Sequence, residues 1–247
     1  MSERSLPFNT EYLSGSTLKI IACISMFIDH MTVILWRRYL GYIVTLDYDS
    51  IQHYKNLYKL GRNLGRPAFP IFCFLLVEGF RHTHSKRDYL IRLLVMALLS
   101  EHAFNLLANG SNLDLTHQNV FLTLAISLSV IICIHKFASQ DKLSDPTRTA
   151  LTLLITLVGC VAAYLLKTDY SYKGVLAVTA IYLLSYNRLV MCLGGAVCFS
   201  WEPWAMPAFI PIFFYNGKRG LKVKYFFYFF YPLHIYLIYY VVNYLMK

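Results

Sequence analysis

Residues 18–36 read Leu-Lys-Ile-Ile-Ala-Cys-Ile-Ser-Met-Phe-Ile-Asp-His-Met-Thr-Val-Ile-Leu-Trp. A bilayer core of about 30 Å takes roughly 20 apolar residues wound as an α-helix, and this run has that length. Its ionisable residues are Lys19 at the start and Asp29 and His30 well inside. Working outward, further apolar runs lie near residues 68–80 (with a lead-in from about Leu60), 89–108, 119–137, 149–166, 174–185, 189–200, 203–215 and 225–244. The expectation is an all-α fold, a polytopic transmembrane helix bundle of about nine spans (eight to ten) at roughly 20 residues each. Several later runs are short and are read as tilted, broken or partly re-entrant. Pro67 and Pro70 punctuate the second run, and Pro203, Pro207 and Pro211 the eighth. Breaks of that kind need polar neighbours or a cavity to satisfy the freed backbone groups. The chain reads as one domain over 1–247, with the tyrosine-rich stretch 37–58 as an extramembrane loop insert.

Composition agrees. The chain is 57% hydrophobic and 15% charged, where soluble domains carry about 45–50% apolar and about 25% charged residues. Its 20 tyrosines suit the boundary between hydrocarbon and headgroups. A net charge of +10 raises the question of nucleic acid. The cations are scattered through short loops without a nucleic-acid motif, so no nucleic-acid partner is expected and the lipid bilayer takes that place. Six cysteines lie in apolar stretches with no C-x-x-C pair, so neither a metal site nor a disulfide framework is expected.

Lysine and arginine gather in loops on the cytoplasmic side of a membrane. With the N-terminus inside, that side receives Arg81, Lys86 and Arg87; Lys136, Lys142 and Arg148; Arg188; and Lys218, Arg219, Lys222 and Lys224. The loops at 109–118 and 201–202 carry no lysine or arginine. The first loop, with Arg37, Arg38, Lys55, Lys59 and Arg62, runs against the trend.

Ionisable groups inside a span cost several kcal/mol and persist mainly where they act. Lys19 and His30 are offset by about 20° around a helix and about 16 Å along it, so they share a face. Lys19 can snorkel to the headgroups, which leaves His30 deep in the membrane with Asp29 beside it. A neutral imidazole there can serve as general base, or make a structural hydrogen bond to a neighbouring helix. Glu78 stands one turn from Arg81 and His82, where a local ion pair is the simpler account. Arg66, at the other mouth of that helix, could bind phosphate or carboxylate. Arg92 enters the third span with Lys86 and Arg87 at its mouth, suited to a polyanion. Glu101 and Asn105 share a face, and Gln118 and Asn119 stand at the next span's start; all four are candidate acceptor contacts, or helix-to-helix hydrogen bonds. Asp169-Tyr170 is a further polar pair beside a span. Gly217-Lys218-Arg219-Gly220 brackets two cations as a phosphate-holding loop would, or stops the chain with charge before the last span. His234 is a second histidine inside a span.

In order and spacing these pieces resemble the TraX family of membrane proteins: Lys19 with Asp29-His30, Gly65-Arg66-Pro67-Ala68-Phe69-Pro70-Ile71-Phe72, Glu78-Gly79-Phe80-Arg81-His82, Arg92 with Ser100-Glu101, Gln118-Asn119-Val120-Phe121, Tyr215-Asn216-Gly217-Lys218-Arg219-Gly220 and Tyr231-Pro232-Leu233-His234. Members of that family are associated with N-terminal acetylation of conjugative pilin. The family also looks like a relative of the membrane acyltransferases that modify extracytoplasmic sugars. Those carry a basic residue and, after ten others, a histidine in the first span; Lys19 and His30 match that spacing, with lysine where arginine is usual.

The resemblance implies a transferase in the inner membrane of a bacterium, moving an acetyl group from cytoplasmic acetyl-CoA to an amine or hydroxyl of a protein, glycan or lipid acceptor on the far side. His30 would be the base or a transient acyl carrier, with Asp29, Glu78 and His234 as further catalytic candidates. Lys19, Arg66, Arg81, Lys86, Arg87, Arg92, Lys218 and Arg219 would hold the acetyl-CoA phosphates, and Glu101, Asn105, Gln118 and Asn119 the acceptor. No metal is implied. The rival class is a transporter or channel with a buried His/Glu/Arg relay.

Overall fold

The computed structural model describes residues 12–111, 114, 116–138, 140, 143–221 and 224–245. Lys142 and Lys222, counted above with the cytoplasmic cations, lie outside these residues. The chain is an all-α bundle. Its helices are α1 (Gly15–Ile43), α2 (Tyr48–Gly65), α3 (Ala68–His82), α4 (Lys86–Ala108), α5 (Val120–Cys133), α6 (Asp145–Leu165), α7 (Ser171–Leu184), α8 (Arg188–Cys198), α9 (Phe209–Phe213) and α10 (Lys224–Tyr240). A 3-10 helix, Pro203–Ala208, leads into α9, and π turns extend α5 and α10.

Short polar caps cut the apolar sequence into these pieces. The side chains of Ser14, Asp47, Ser85, Asn119, Ser144 and Asn187 each accept a hydrogen bond from a backbone N–H in the first turn of the helix that follows. These donors would otherwise be orphaned at a helix start.

Among the described residues four helical segments are long and apolar enough to cross a bilayer: Gly15–Ile43, Lys86–Ala108, Val120–Phe137 and Asp145–Leu165. The expected all-α bundle forms, and the later runs read as short, tilted or re-entrant are the shorter apolar helices Ser171–Leu184, Arg188–Cys198 and Pro203–Phe213. The runs at 189–200 and 203–215 are the two arms of a hairpin. Arg188 at the start of α8 donates to the carbonyl of Tyr215 just past α9, so both arms begin and end at one face. With 11 residues in α8 the hairpin reaches only about 16 Å deep. The stretch 37–58 is not a loop. Its first part completes α1 through Ile43, and its second part opens α2 at Tyr48.

Helix α2 turns back along the outer half of α1: Tyr58 packs tilted against Trp36 (4.8 Å between rings), and Gly61 and Gly65 face Thr32 and Asp29. These glycines stand four apart on one face. Close approach of this kind is how helices associate in lipid, where neighbouring chains are as apolar as the interface and packing must supply the attraction. At Arg66-Pro67 the backbone stays helical, but proline has no N–H to give. So α2 and α3 form one broken helix antiparallel to α1.

Helices α3, α5 and α7 begin at one level. Phe69 of α3 lies flat on Tyr170, which precedes α7, at 3.6 Å, and a Cβ on Gly174 would meet both Thr123 of α5 and Phe69. The longer α1, α4 and α10 rise past this level. Arg37 of α1 donates to the carbonyls of Leu106, Leu107 and Ala108, the open end of α4. The step between short and long helices leaves a recess on the far face, opposite the face at which α1 begins. Between the two faces the core includes Ile71, Cys73, Val77, Leu128, Val178 and Ile181, all within 1% of full burial.

Candidate functional site

The recess holds a cavity of about 210 Å³, lined by Asp29 and His30 of α1, Arg62 and Gly65 of α2, Arg66, Phe69 of α3, and Asp169, Tyr170 and Tyr231. His30 is 8% exposed. Its Nδ1 lies 2.7 Å from Nε2 of His234 on α10, with the rings nearly parallel at 9°. Nδ1 of His234 is 2.6 Å from the carbonyl oxygen of Phe230. A carbonyl only accepts, so His234 carries its proton on Nδ1 and its Nε2 accepts. His30 then donates from Nδ1, and its Nε2 holds the lone pair. That order of protons follows from one backbone carbonyl, and it leaves Nε2 of His30 as the unprotonated nitrogen of a residue that lines the cavity. The ring of Tyr231 stands edge-on to His30 at 5.7 Å.

Beside the histidines lies a group of opposite charges. Nη1 of Arg62 donates to Oδ2 of Asp29 at 2.7 Å, and Oδ1 of Asp29 is buried without a hydrogen-bond partner. Nε of Arg66 lies 3.4 Å from Glu202 at the hairpin tip. Asp169, in the turn between α6 and α7, takes the backbone N–H of Tyr170 at 3.1 Å. Burial pushes its carboxyl up to about 6, against the pull of Arg62 and Arg66 and with a push from Asp29. The turn is costly to form: Lys167, Tyr170 and Ser171 all have positive φ, at 50°, 61° and 45°. Non-glycine residues rarely adopt that conformation, and it persists where surrounding contacts enforce it. Here it lays the Tyr170 ring on Phe69 and turns Asp169 into the cavity.

The sequence-predicted residues divide sharply. Asp29, His30 and Arg66 line the cavity, and His234 stands behind His30 as its hydrogen-bond partner. Glu78 was grouped with them but belongs to the opposite face, where it pairs with Arg81 at 3.4 Å and His82 at 3.5 Å. The local ion pair is what forms there. The cofactor set is also divided, since Arg66 sits about 20 Å from Arg81 along the helix. Arg81, Lys86, Arg87 and Arg92 do gather around the α3–α4 junction. Arg81 bonds Ser185, Lys86 lies over the Phe80 ring and Arg92 over Tyr89. Lys19 lies over Phe227 at 5.2 Å. Lys218 and Arg219 have exposed side chains, while their carbonyls accept from the N–H groups of Gly15 and Ser16.

The acceptor candidates knit helices together. Asn119 Nδ2 donates to Glu101 at 2.5 Å and to the carbonyl of Ala97 at 2.7 Å. Asn105 accepts on its carbonyl from the N–H groups of Asn109 and Gly110. Gln118 pairs by its backbone with Lys167 and Asp169, tying α5 to the strained turn. None of these four is among the described residues lining the cavity.

Arg62, Asp169, Tyr170, Glu202 and Tyr231 complete the site. Arg62 counted in sequence only as an ill-placed loop cation. Its signal was present in Gly61-Arg62-Asn63-Leu64-Gly65, where small residues four apart mark a helix face that packs closely and so carries the arginine with it.

The description "TraX protein" belongs to the family that matches residues 14–242, which takes in every residue of the cavity. A relative is the probable fimbrial assembly protein FimC, serogroup H1, of Dichelobacter nodosus. It is 28% identical over 252 positions, covering 90% of this chain and 93% of that protein. No solved structure matches.

Proposed function

This chain belongs to the TraX family, and on that premise we propose that it is a membrane-embedded acyltransferase. In this reading it takes an acetyl group from acetyl-CoA and places it on an amine or hydroxyl presented at the far face. One observation carries the reading: a buried histidine pair with its protons ordered by the carbonyl of Phe230, set in a cavity beside the Asp29–Arg62 pair. Nε2 of His30 takes the proton from the acceptor's N–H or O–H. The freed lone pair attacks the thioester carbonyl, the C–S bond breaks, and the CoA thiolate leaves to be protonated. His30, now cationic, still donates through Nδ1 to His234, which disperses the charge. General bases of this kind contribute about 10²–10⁴-fold. Tyr170 and Tyr231 would shape the acyl pocket, and Asp29 with Arg62 would orient the acceptor.

The name of the Dichelobacter relative places that protein in fimbrial assembly, which supports a protein acceptor, such as a pilin N-terminus, over a glycan or lipid. The membrane would be the inner membrane of a bacterium, with the Lys218–Arg219 face toward the cytoplasm.

One feature favours a transporter instead: a broken helix and a hairpin tip meet at a charged cavity, as in midplane substrate sites. Labelled acetyl-CoA separates the two. Purified protein, labelled acetyl-CoA and native membranes should yield a labelled acceptor, and the His30→Ala protein should not. If wild-type protein labels nothing and hydrolyses no acetyl-CoA, the transferase reading fails.

A further inference from the structure

A second cavity, of about 330 Å³, lies at the opposite face between the end of α3, the start of α6 and the end of α7. Two guanidinium groups from distant parts of the chain reach it: Arg81 from α3 and Arg148 from α6. Thr152, Tyr182 and Ser185 add hydroxyls, and Tyr186 adds a ring left 77% exposed. Like charges on one cavity repel unless something between them is negative. Among the described residues the carboxylates nearby are weak partners. Asp145, at 3.6 Å from Arg148, is 94% exposed and so screened by water. Glu78 meets Arg81 through one contact at 3.4 Å and is shared with His82. Among the described residues Nε of Arg148 is buried with no hydrogen-bond partner, and its Nη2 reaches only the Gln140 carbonyl at 3.4 Å. Among the described residues neither arginine makes the paired, two-bond contact that a guanidinium offers to an oxyanion.

We infer that this cavity is a binding site for a phosphate ester, held between Arg81 and Arg148. The hydroxyls of Thr152 and Ser185 give their protons to the carbonyls of Arg148 and Tyr182, so the two guanidinium groups would be the phosphate's donors, and Arg81 is already aimed by its bond to Ser185. The ester can come from two sources. Leu183 in the cavity wall is 46% exposed, and Leu153 and Leu154, which follow Thr152 on α6, are 65% and 56% exposed; acyl chains below a lipid headgroup would need such a surface, and basic pockets between membrane helices hold such headgroups. A soluble nucleotide ester, such as the phosphoadenosine end of coenzyme A, would instead place its base on Tyr186. The inference rests on the anion chemistry of the cavity and stands whether or not His30 catalyses transfer.

Two probes distinguish the sources. Full-length protein in detergent is titrated with labelled coenzyme A by equilibrium dialysis, and separately with phosphatidylglycerol by native mass spectrometry, phosphatidylcholine serving as the zwitterionic control. Arg148→Gln should weaken binding of one probe about tenfold or more, the loss of one charge-assisted hydrogen-bonding group. Arg148→Lys should recover part of it, because lysine keeps the charge but not the fork. Loss confined to coenzyme A identifies a nucleotide site, and loss confined to phosphatidylglycerol identifies a headgroup site. The Arg148 side chain is 41% exposed and its ion pair with Asp145 is water-screened, so its variants should keep the elution volume and unfolding temperature of wild type, and Arg81→Gln supplies an independent check from another helix. If wild type binds neither probe, or if both variants bind as wild type does, the inference is overturned.

Discussion

Gly65 and Gly41 are both helical glycines, and alanine should act on them with opposite sign. A Cβ built on Gly65 lies 2.3 Å from Cβ of Asp29 and 2.7 Å from its Cγ and Oδ1, where ordinary contact begins at 3.4 Å. Cβ of Asp29 is fixed by its own backbone and cannot rotate away. The helices α1 and α2 must therefore part by about 1 Å, and the 2.7 Å bond between Arg62 and Asp29 lengthens with them. Overpacking of this kind costs about 1–3 kcal/mol, against a gain of at most about 1 kcal/mol from replacing glycine in a helix. Gly41, near the end of α1, has nothing within 4 Å of its Cβ, so only the gain remains. At about 2–4 °C per kcal/mol for a chain of this size, Gly65→Ala should unfold several degrees below wild type and Gly41→Ala at or slightly above it. Thermal unfolding in detergent, followed by intrinsic fluorescence, measures both. A Gly65→Ala protein as stable as Gly41→Ala would refute the close approach of α2 to α1, and with it the geometry of the cavity.

Replacing His234 by glutamine keeps an acceptor opposite His30, whereas leucine leaves Nδ1–H of His30 buried and unpaired. Acetyl transfer should fall about 10²-fold or more in the leucine protein and less in the glutamine one, with the Michaelis constant for the donor little changed; equal loss in both would remove the proton-ordering role. Asp169 carries its carboxyl at about 6 in the folded chain against 3.8 when unfolded. The folded state therefore holds more protons in that window, and stability falls as pH rises from about 4 to 6, then levels. Asp169→Asn keeps the oxygen that accepts from Tyr170, so it should flatten this dependence and raise the unfolding temperature above pH 6; an unchanged profile would place the titration elsewhere. Cysteines placed at Lys218 or Arg219 should resist an impermeant thiol reagent in intact cells, and ready labelling would invert the membrane orientation.

Reading the sequence was enough for whatever depends on local chemistry. Runs of apolar residues identify membrane helices because each residue is transferred into lipid on its own account. Helix geometry alone buries His30 and places it on the same face as Lys19. The Gly-Arg-Pro break before α3 was visible because proline lacks a donor wherever it stands. The partners were not visible. Asp29 could not be assigned to Arg62, nor His30 to His234, because those pairs lie 33 and 204 positions apart. Hydropathy carries no information on which helices are neighbours. Nor could periodicity separate a short span from one arm of a hairpin: α8 is apolar either way, and only the return of α9 to Arg188 distinguishes them. Glu78 shows the same limit from the other side. It is as polar as Asp29 and also in a helix, but α3 points it to the opposite face. Tertiary packing decides which buried polar groups meet, because a polar group in lipid must find its partner on another helix, and helix order is set by interfaces such as Gly61 and Gly65 against α1.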